Sequence, residues 1–366
     1  MNKNVPLPSK RSGALDLLRF FAVLYVFFGH YTDTFNLVYQ IVPANLKYMW
    51  FSKYATTALL IFFMVSGYVV TMTSIKRNIK EFAISRLSRL YPLFWVSCIV
   101  AFIMPRLFYT NHSYLAEASL KTFFVNLTMV PYLFGYPTIN PVFHTLLIEL
   151  VFYFFLAIII VFKLWNRILI ILGSLLALCV YGLFLPGLPD FFIIIPFASG
   201  MLFYMISADY ASKFILYPLL AVSFMCSFVS AQAQADQLDL YYKGATIIDP
   251  WVLRGIITTI YIVFLLISTK VIHIAGRRVY QILGELAYPF YLFHIYFLCF
   301  YWFFRNKIQP DVLLFGILSV TIFTSWLINV VLEKPLSSLA SRGLFYLTGL
   351  FKKKNPERIF KAEGLL

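Results

Sequence analysis

Long runs of apolar residues, separated by short polar segments, recur along the whole chain. A helix needs roughly 20 such residues, rising about 1.5 Å each, to cross about 30 Å of hydrocarbon. We predict ten membrane spans, at residues 15–35, 54–75, 88–108, 141–162, 168–186, 191–207, 213–231, 251–270, 280–303 and 312–332. The pattern predicts an all-α, polytopic transmembrane helical bundle of about ten helices. Only the residues LPGLPD separate the fifth span from the sixth. If these two spans formed a single one, every later segment would lie on the opposite side of the membrane.

Composition and charge support this topology. The chain has 366 residues, of which 61% are hydrophobic and 12% charged, more apolar surface than a soluble protein of this length can bury. Lys and Arg mark the inner side of a membrane protein. Of the 30 Lys and Arg, Arg19 lies within a span, and the outer segments carry only Lys47, Lys53, Arg106, Lys121, Lys243, Arg254, Arg305 and Lys307. We therefore expect both termini in the cytoplasm. Because the basic residues are spread over every inner loop, we expect no nucleic-acid partner.

The first span, LDLLRFFAVLYVFFGHY, carries a cation and an imidazole. Arg19 and His30 are eleven residues apart, which at about 100° per residue is three turns plus about 20°, so both project from one face of an α-helix. Ionisable groups inside a membrane are costly and mark functional sites by default. The alternatives are an interhelical hydrogen bond for His30, and snorkelling with pairing to Asp16 for Arg19.

Polar groups also interrupt other predicted spans. Arg86 and Arg89 are three residues apart at the inner end of the third span, a spacing that places two guanidinium groups on one helix face. Arg binds phosphate through a planar, bidentate fork, so this pair suits a phosphate-bearing ligand; the alternative is a topology signal or a contact with anionic lipid. Glu149 lies within the fourth span and His294 within the ninth. In FFMVSGY, Ser66-Gly67 permits a close approach of helices.

Three titratable groups have similar predicted depths. Counted from the inner side at about 1.5 Å per residue, His30 lies at ~22 Å, Glu149 at ~18 Å and His294 at ~21 Å. Two more acids are weaker candidates. Asp33 follows His30 by about one turn and suits an outer-interface residue, whereas Glu333 suits a helix end with Lys334 or Arg342 as partner. The four cysteines lie in four different spans without metal-ligand spacing, so we expect apolar packing and no metal site.

Together these segments resemble the acyltransferase-3 family of integral-membrane O-acyltransferases. The resemblance covers most of spans one to four and the ninth and tenth spans. It is carried by LDLLRFFAVLYVFFGH, FFMVSGY, RLSRLYP, LLIELVFY, LAYPFYLFH and Glu333-Lys334-Pro335. The chain departs from the family pattern at His144, where the family more often has Trp, and in the weakened turn motif YATTALLIFF before the second span.

The resemblance implies transfer of an acyl group, usually acetyl, from acyl-CoA to a hydroxyl of a cell-envelope glycan, a lipid-linked sugar or a small molecule. It assigns the essential histidine to His30, the arginine to Arg19 and the fourth-span carboxylate to Glu149. It assigns the basic pair to Arg86 and Arg89. In the resulting hypothesis CoA phosphates bind the basic pair, His30 is the general base and Glu149 orients it. Acyl-CoA is a donor substrate; no bound cofactor is expected.

Two readings of function stay open from the sequence. The first is the O-acyltransferase; the alternative is a transporter or flippase whose path is lined by Arg19, His30 and Glu149. No matching halves are visible between residues 1–190 and 191–366, which favours the enzyme. We divide the chain into a transmembrane domain, 1–340, and a basic cytoplasmic tail, 341–366. We expect a bacterial inner-membrane location, contact with membrane lipid and room for a partner protein on the outer face.

Overall fold

The computed structural model describes residues 12–38, 50–107, 118–183, 193–243 and 245–349. In these ranges the regular structure is helical, apart from an isolated bridge between Ser12 and Ala275. The α-helices are α1 (Gly13–Phe28), α2 (Thr57–Ser74), α3 (Ile79–Leu107), α4 (Leu120–Asn126), α5 (Phe143–Val161), α6 (Ile168–Gly182), α7 (Ile195–Ser207), α8 (Lys213–Tyr241), α9 (Pro250–Ser268), α10 (Arg278–Phe293), α11 (Leu298–Phe304), α12 (Pro310–Ile328) and α13 (Lys334–Leu347). The predicted all-α class is confirmed.

Nine helical segments within the described ranges are long and apolar enough to cross a membrane. They correspond to nine of the ten predicted spans. The sixth prediction, 191–207, is wrong in length: α7 has 13 residues, about 20 Å of helix, and is too short to cross the hydrocarbon alone. Pro196 occupies the first turn of α7, where its missing N–H costs nothing, and so favours a helix start at this point.

Two helical segments extend beyond their predicted ends. The seventh span was predicted at 213–231, but α8 continues to Tyr241, because QAQADQLDLY combines good helix formers that a search for apolar runs does not score. The tenth was predicted at 312–332, but the helical path runs over Pro310–Leu347. It crosses position 340, where the sequence was divided into a domain and a tail. Residues 350–366 lie outside the described ranges, so that division stays a prediction, as does the orientation of the termini.

The chain divides into two compact units. Unit 1 comprises Met1–Ala22, Lys53–Ile79 and Phe154–Gly284; unit 2 comprises Val23–Ser52, Lys80–Tyr153 and Glu285–Leu366. Each unit therefore draws on segments that are distant in sequence. Helices α1, α3, α5 and α10 each contribute residues to both.

The core of unit 1 is a very close crossing of α2 and α7. A Cβ atom added at Gly200 would lie 2.1 Å from the carbonyl oxygen of Met64, and one added at Gly67 would lie 2.3 Å from that of Phe197. Such contacts are shorter than any real Cβ atom makes, so both positions require glycine. The predicted close approach at Ser66-Gly67 is confirmed. Small residues allow this packing in membranes, where dispersion contacts replace the hydrophobic effect.

We expect Gly200→Ala to destabilise the protein by about 1–3 kcal/mol or more, because the new methyl group meets main-chain atoms that cannot rotate away. The measurement is the thermal unfolding temperature of the purified protein in detergent. Gly255→Ala in α9 is the matched control, since a Cβ atom there has no neighbour within 4 Å. Equal unfolding temperatures for the two variants would contradict the close crossing.

Hydroxyl groups join α7, α8 and α9 within unit 1. The Tyr261 hydroxyl lies 2.7 Å from Ser199 Oγ and 2.9 Å from Ser227 Oγ, and Ser223 Oγ completes the buried cluster. Nearby, Cys179 and Cys226 pack with Ile195, as expected for cysteines used as apolar side chains. Unit 1 is thus held by small-residue contacts and buried hydrogen bonds.

At three points in the described part of unit 2, the winding changes directly after an α-helix. A π-helical segment, Gly29–Val38, follows α1; a 3₁₀ segment, His294–Phe297, follows α10; and a second π-helical segment, Asn329–Glu333, joins α12 to α13. Each carries a residue singled out from the sequence: His30, His294 and Glu333. π-Helical turns are frequent at functional sites, so the two π-helical segments favour unit 2 as the location of the chemistry. The angle between Arg19 and His30 was calculated with about 100° per residue, a value that applies only to the α-helical part of the segment, which ends at Phe28.

Candidate active site

Two histidines from distant parts of the chain are adjacent in unit 2. The ring centroids of His30 and His294 are 5.3 Å apart, and the ring planes are tilted by 42°. His294 is fully buried, whereas His30 retains partial exposure. The similar depth predicted for these two side chains is consistent with this contact. The pair therefore combines one fully buried imidazole with one residue that is partly exposed.

The backbone fixes the position of His294. Its Nδ1 lies 2.8 Å from the carbonyl oxygen of Tyr291 and 3.2 Å from that of Phe290. The Tyr31 hydroxyl donates a hydrogen bond of 2.7 Å to the carbonyl oxygen of His294, and the Phe290 ring lies nearly parallel to the imidazole. Both the ring and the main chain of His294 are therefore held in place.

A second polar group surrounds Glu149 on α5. The Tyr153 hydroxyl, one turn further along, donates a hydrogen bond of 2.5 Å to Glu149 Oε1. The Arg86 guanidinium lies over the Tyr153 ring, with Cζ 5.8 Å from the centroid, and its Nη2 donates to Ser85 Oγ at 2.8 Å. Arg86 is only 3% exposed. A buried guanidinium thus lies beside a tyrosine whose hydroxyl is bonded to a carboxylate.

Two tyrosines of α10 link the surroundings of the basic pair, Glu149 and His294. The Tyr288 hydroxyl donates a 2.8 Å hydrogen bond to the carbonyl oxygen of Leu90, in α3 directly after Arg89. The Tyr291 hydroxyl lies 2.7 Å from Oγ1 of Thr145, one turn before Glu149 on α5, and the Tyr291 carbonyl oxygen holds His294. The basic pair, the carboxylate and the two histidines thus belong to one connected region of unit 2.

Glu333 is buried and its surroundings differ from the prediction. Asn329, one turn earlier in the π-helical segment, donates a 2.9 Å hydrogen bond to Glu333 Oε2. Lys334 instead forms an ion pair with Glu285 at 2.9 Å. Glu333 is the last residue of the π-helical segment, and the helical path continues into α13 at the next residue. The sequence could not reveal this arrangement, since Glu285 is distant in the chain.

Asp33 belongs to a small hydroxyl cluster beyond His30. The Thr32 hydroxyl lies 3.1 Å from Asp33 Oδ2, and Ser52 Oγ also donates to this carboxylate oxygen. Ser52 is buried and begins a short 3₁₀ turn, Ser52–Tyr54. These contacts give Asp33 local hydroxyl partners, consistent with the structural role considered for it. Arg19 belongs to unit 1, so its predicted role in the site stays a prediction.

The sequence did not single out the tyrosines of this region. Tyr31, Tyr153, Tyr288 and Tyr291 contact or influence the candidate residues, but they are hidden among 25 tyrosines in the chain. Tyr153 and Tyr291 carried a usable signal, because Tyr153 follows Glu149 by four residues and Tyr291 precedes His294 by three, and such spacings place side chains on one helix face. Tyr31 and Tyr288 carried none, because their hydroxyl groups bond to distant elements.

The chain matches the acyltransferase domain of the acyltransferase-3 family over residues 12–361, almost its whole length. It therefore belongs to this family, which places it among the acyltransferases. With its apolar helices, it is an integral membrane protein.

A relative is the protein named "Putative acetyltransferase ORF330" of Acidianus two-tailed virus, 23% identical over 231 residues. The match covers 60% of this chain and 66% of the viral protein. No solved structure matches the chain.

Proposed function

We propose that this protein is a membrane-bound O-acyltransferase that moves an acetyl group from acetyl-CoA to a hydroxyl group. The acceptor would be a cell-envelope glycan, a lipid-linked sugar or a similar molecule. The observation that carries the proposal is that the described interior of unit 2 holds both the adjacent rings of His30 and His294 and the contacts of Tyr153 with Glu149 and Arg86. Family membership supports the reaction class, and the name of the viral relative supports acetyl as the acyl group.

Arg86 and Arg89 are the proposed donor site. The fork of an arginine side chain matches a phosphate oxygen pair, and CoA carries several phosphates. Arg89 is the more exposed of the two and would contact a phosphate directly. Arg86, buried against Tyr153, would add positive potential behind it. Arg19 would steady the pantetheine or a phosphate.

His30 is the proposed general base. A neutral imidazole carries a lone pair on one ring nitrogen and can accept a proton from the acceptor hydroxyl. The hydroxyl oxygen then bonds to the thioester carbonyl carbon, the carbon–sulfur bond breaks, and His30 returns the proton to the CoA thiolate. The products are the O-acetyl ester and CoA. Glu149 would help to stabilise the positive charge that His30 carries during the reaction.

The proposed topology places both termini in the cytoplasm of a bacterium, with the protein in the inner membrane. Acetyl-CoA would enter from the cytoplasmic side, where the arginine pair lies in this topology, and the acceptor from either side. A partner protein on the outer face would be compatible with this arrangement.

The test follows the acetyl group. Membranes containing wild-type protein or His30→Ala receive acetyl-CoA labelled in the acetyl group, and label is then measured in lipid, glycan and small-molecule fractions. We expect label in one fraction only with wild-type protein. The control is His273→Gln, which changes an exposed histidine of unit 1. Equal labelling by wild type and His30→Ala, with both proteins folded, would refute the mechanism; no labelling by either, with other acyl-CoAs also tried, would favour a transporter or flippase.

A further inference from the structure

The protonation pattern of His294 follows from its hydrogen bonds. Nδ1 faces two main-chain carbonyl oxygens, from Tyr291 and Phe290, and a carbonyl oxygen can only accept. The proton of the neutral ring must therefore be on Nδ1. Nε2 consequently carries the lone pair, and His294 presents a hydrogen-bond acceptor at the opposite side of its ring.

That acceptor is buried. Nε2 of His294 makes no hydrogen bond within the described part of the chain. A buried acceptor without a donor is costly, and in a native protein it calls for an explanation. The neighbouring polar ring is His30, tilted by 42° at a centroid distance of 5.3 Å. At this separation a modest rotation of His30 brings one of its nitrogens to Nε2.

We infer that His294 is a positioning residue that fixes the tautomer of His30. The inference rests on the proposed role of His30 as general base. In the reactive arrangement, one N–H of His30 donates to Nε2 of His294, and the other nitrogen of His30 presents its lone pair to the acceptor hydroxyl. The Tyr291 carbonyl, His294, His30 and the hydroxyl then form a continuous series of hydrogen bonds.

The proton balance of this arrangement is simple. The acceptor proton moves to His30, whose existing N–H bond to His294 becomes charge-assisted and stronger. His30 then releases the proton to the CoA thiolate, while His294 keeps its own proton on Nδ1 throughout. A neutral imidazole suits this role inside a membrane, because a carboxylate in the same place would bring a buried charge that needs its own compensation.

The structure around His294 supports a positioning role. The Tyr31 hydroxyl donates a 2.7 Å hydrogen bond to the His294 carbonyl oxygen, and the Phe290 ring lies nearly parallel to the imidazole at a centroid distance of 6.1 Å. Outer partners of this kind commonly change affinity or activity by 10- to 100-fold when they are removed from a reactive histidine at a metal site. We expect effects of the same order here.

The kinetic test compares His294→Gln with His294→Leu. The amide oxygen of Gln can accept a hydrogen bond from His30, whereas Leu cannot. We expect His294→Leu to lower kcat by about 10- to 100-fold with little change in KM for acetyl-CoA, and His294→Gln to retain clearly more activity. A purely structural role predicts the opposite order, because Leu suits an apolar interior better than an amide does. His294→Leu activity equal to or above that of His294→Gln would overturn the inference.

A spectroscopic test does not depend on turnover. Nitrogen NMR of protein labelled at histidine, assigned with the two variants of His294 and with His30→Ala, reports which ring nitrogen carries the proton. We expect the Nδ1–H form at His294 and a changed tautomer population at His30 in His294→Leu. The Nε2–H form at His294 would overturn the inference. Full activity of His30→Ala would instead refute the proposed function, whereas an inactive His30→Ala beside a fully active His294→Leu would refute only the positioning role.

Discussion

Replacement of His30 by alanine is expected to lower kcat for acetyl transfer by about 10²- to 10⁴-fold, the range that a positioned general base contributes. KM for acetyl-CoA should change little, because the proposed donor contacts are made by arginines. The measurement is the rate of CoA release by purified protein at saturating acetyl-CoA. The acceptor supplied is the cell fraction that takes up label in the labelling experiment described above. The contrast between kcat and KM separates loss of a base from loss of a binding contact.

Two controls make the His30 experiment decisive. His30→Gln preserves polarity and approximate size but supplies no base, so it should be as inactive as His30→Ala. His273→Gln should retain wild-type activity because that histidine is exposed in unit 1. Unfolding temperatures of all three variants, measured in the same detergent, show whether the fold survives. Activity of His30→Gln near that of the wild type would show that the proton of the acceptor goes elsewhere.

Arg89→Ala is expected to raise KM for acetyl-CoA by about 10- to 100-fold, because a hydrogen bond to a charged group contributes about 1.5–3 kcal/mol. The unfolding temperature should change little, since the side chain is partly exposed. Arg86→Ala should also lower the unfolding temperature, because the Arg86 guanidinium is buried and its loss removes a counter-ion from the buried acidic groups of this region. For this variant we expect weaker donor binding together with reduced stability, measured by titration calorimetry and thermal unfolding.

The donor itself can be varied to locate the phosphate contact. Acetyl-CoA that lacks the 3′-phosphate should bind the wild type more weakly if Arg89 holds that group, and should bind Arg89→Ala no more weakly than the complete donor does. If removal of the 3′-phosphate weakens donor binding equally in the wild type and in Arg89→Ala, Arg89 contacts the pyrophosphate instead. Lys80→Ala, an exposed cation one helical turn or more before the pair, is the charge-matched control. An effect of Lys80→Ala equal to that of Arg89→Ala would reduce the contact to general electrostatic attraction.

The membrane helices could be predicted from the sequence because their cause is local. Twenty apolar residues specify a helix in lipid whatever the rest of the chain does. The errors have local causes too. α7 is shorter than its apolar run, with Pro196 in its first turn, and α8 is longer because its last ten residues favour a helix without being apolar.

The candidate site was only partly predictable, because its geometry depends on contacts between distant segments. His30 and His294 were predicted at similar depths in the membrane, but the sequence did not indicate which helices are neighbours and so could not show that their rings are adjacent. The ion pair of Lys334 with Glu285, and the role of Tyr31 in holding His294, depend on the same long-range packing. The changes of helical winding at Gly29, His294 and Asn329 leave no recognisable motif in the residues themselves.

The Gly67–Gly200 crossing has a consequence for mutational scanning of this protein. A growth-based screen of every substitution would score these two glycines as intolerant, as it would His30, although neither glycine takes part in the proposed reaction. The two kinds of intolerance differ in protein abundance: variants at Gly67 and Gly200 should disappear from the membrane, whereas inactive His30 variants should accumulate normally. A parallel screen of protein abundance would therefore identify the positions at which substitutions act through loss of the folded protein. The positions that are sensitive for growth but not for abundance would then be the candidates for catalytic residues.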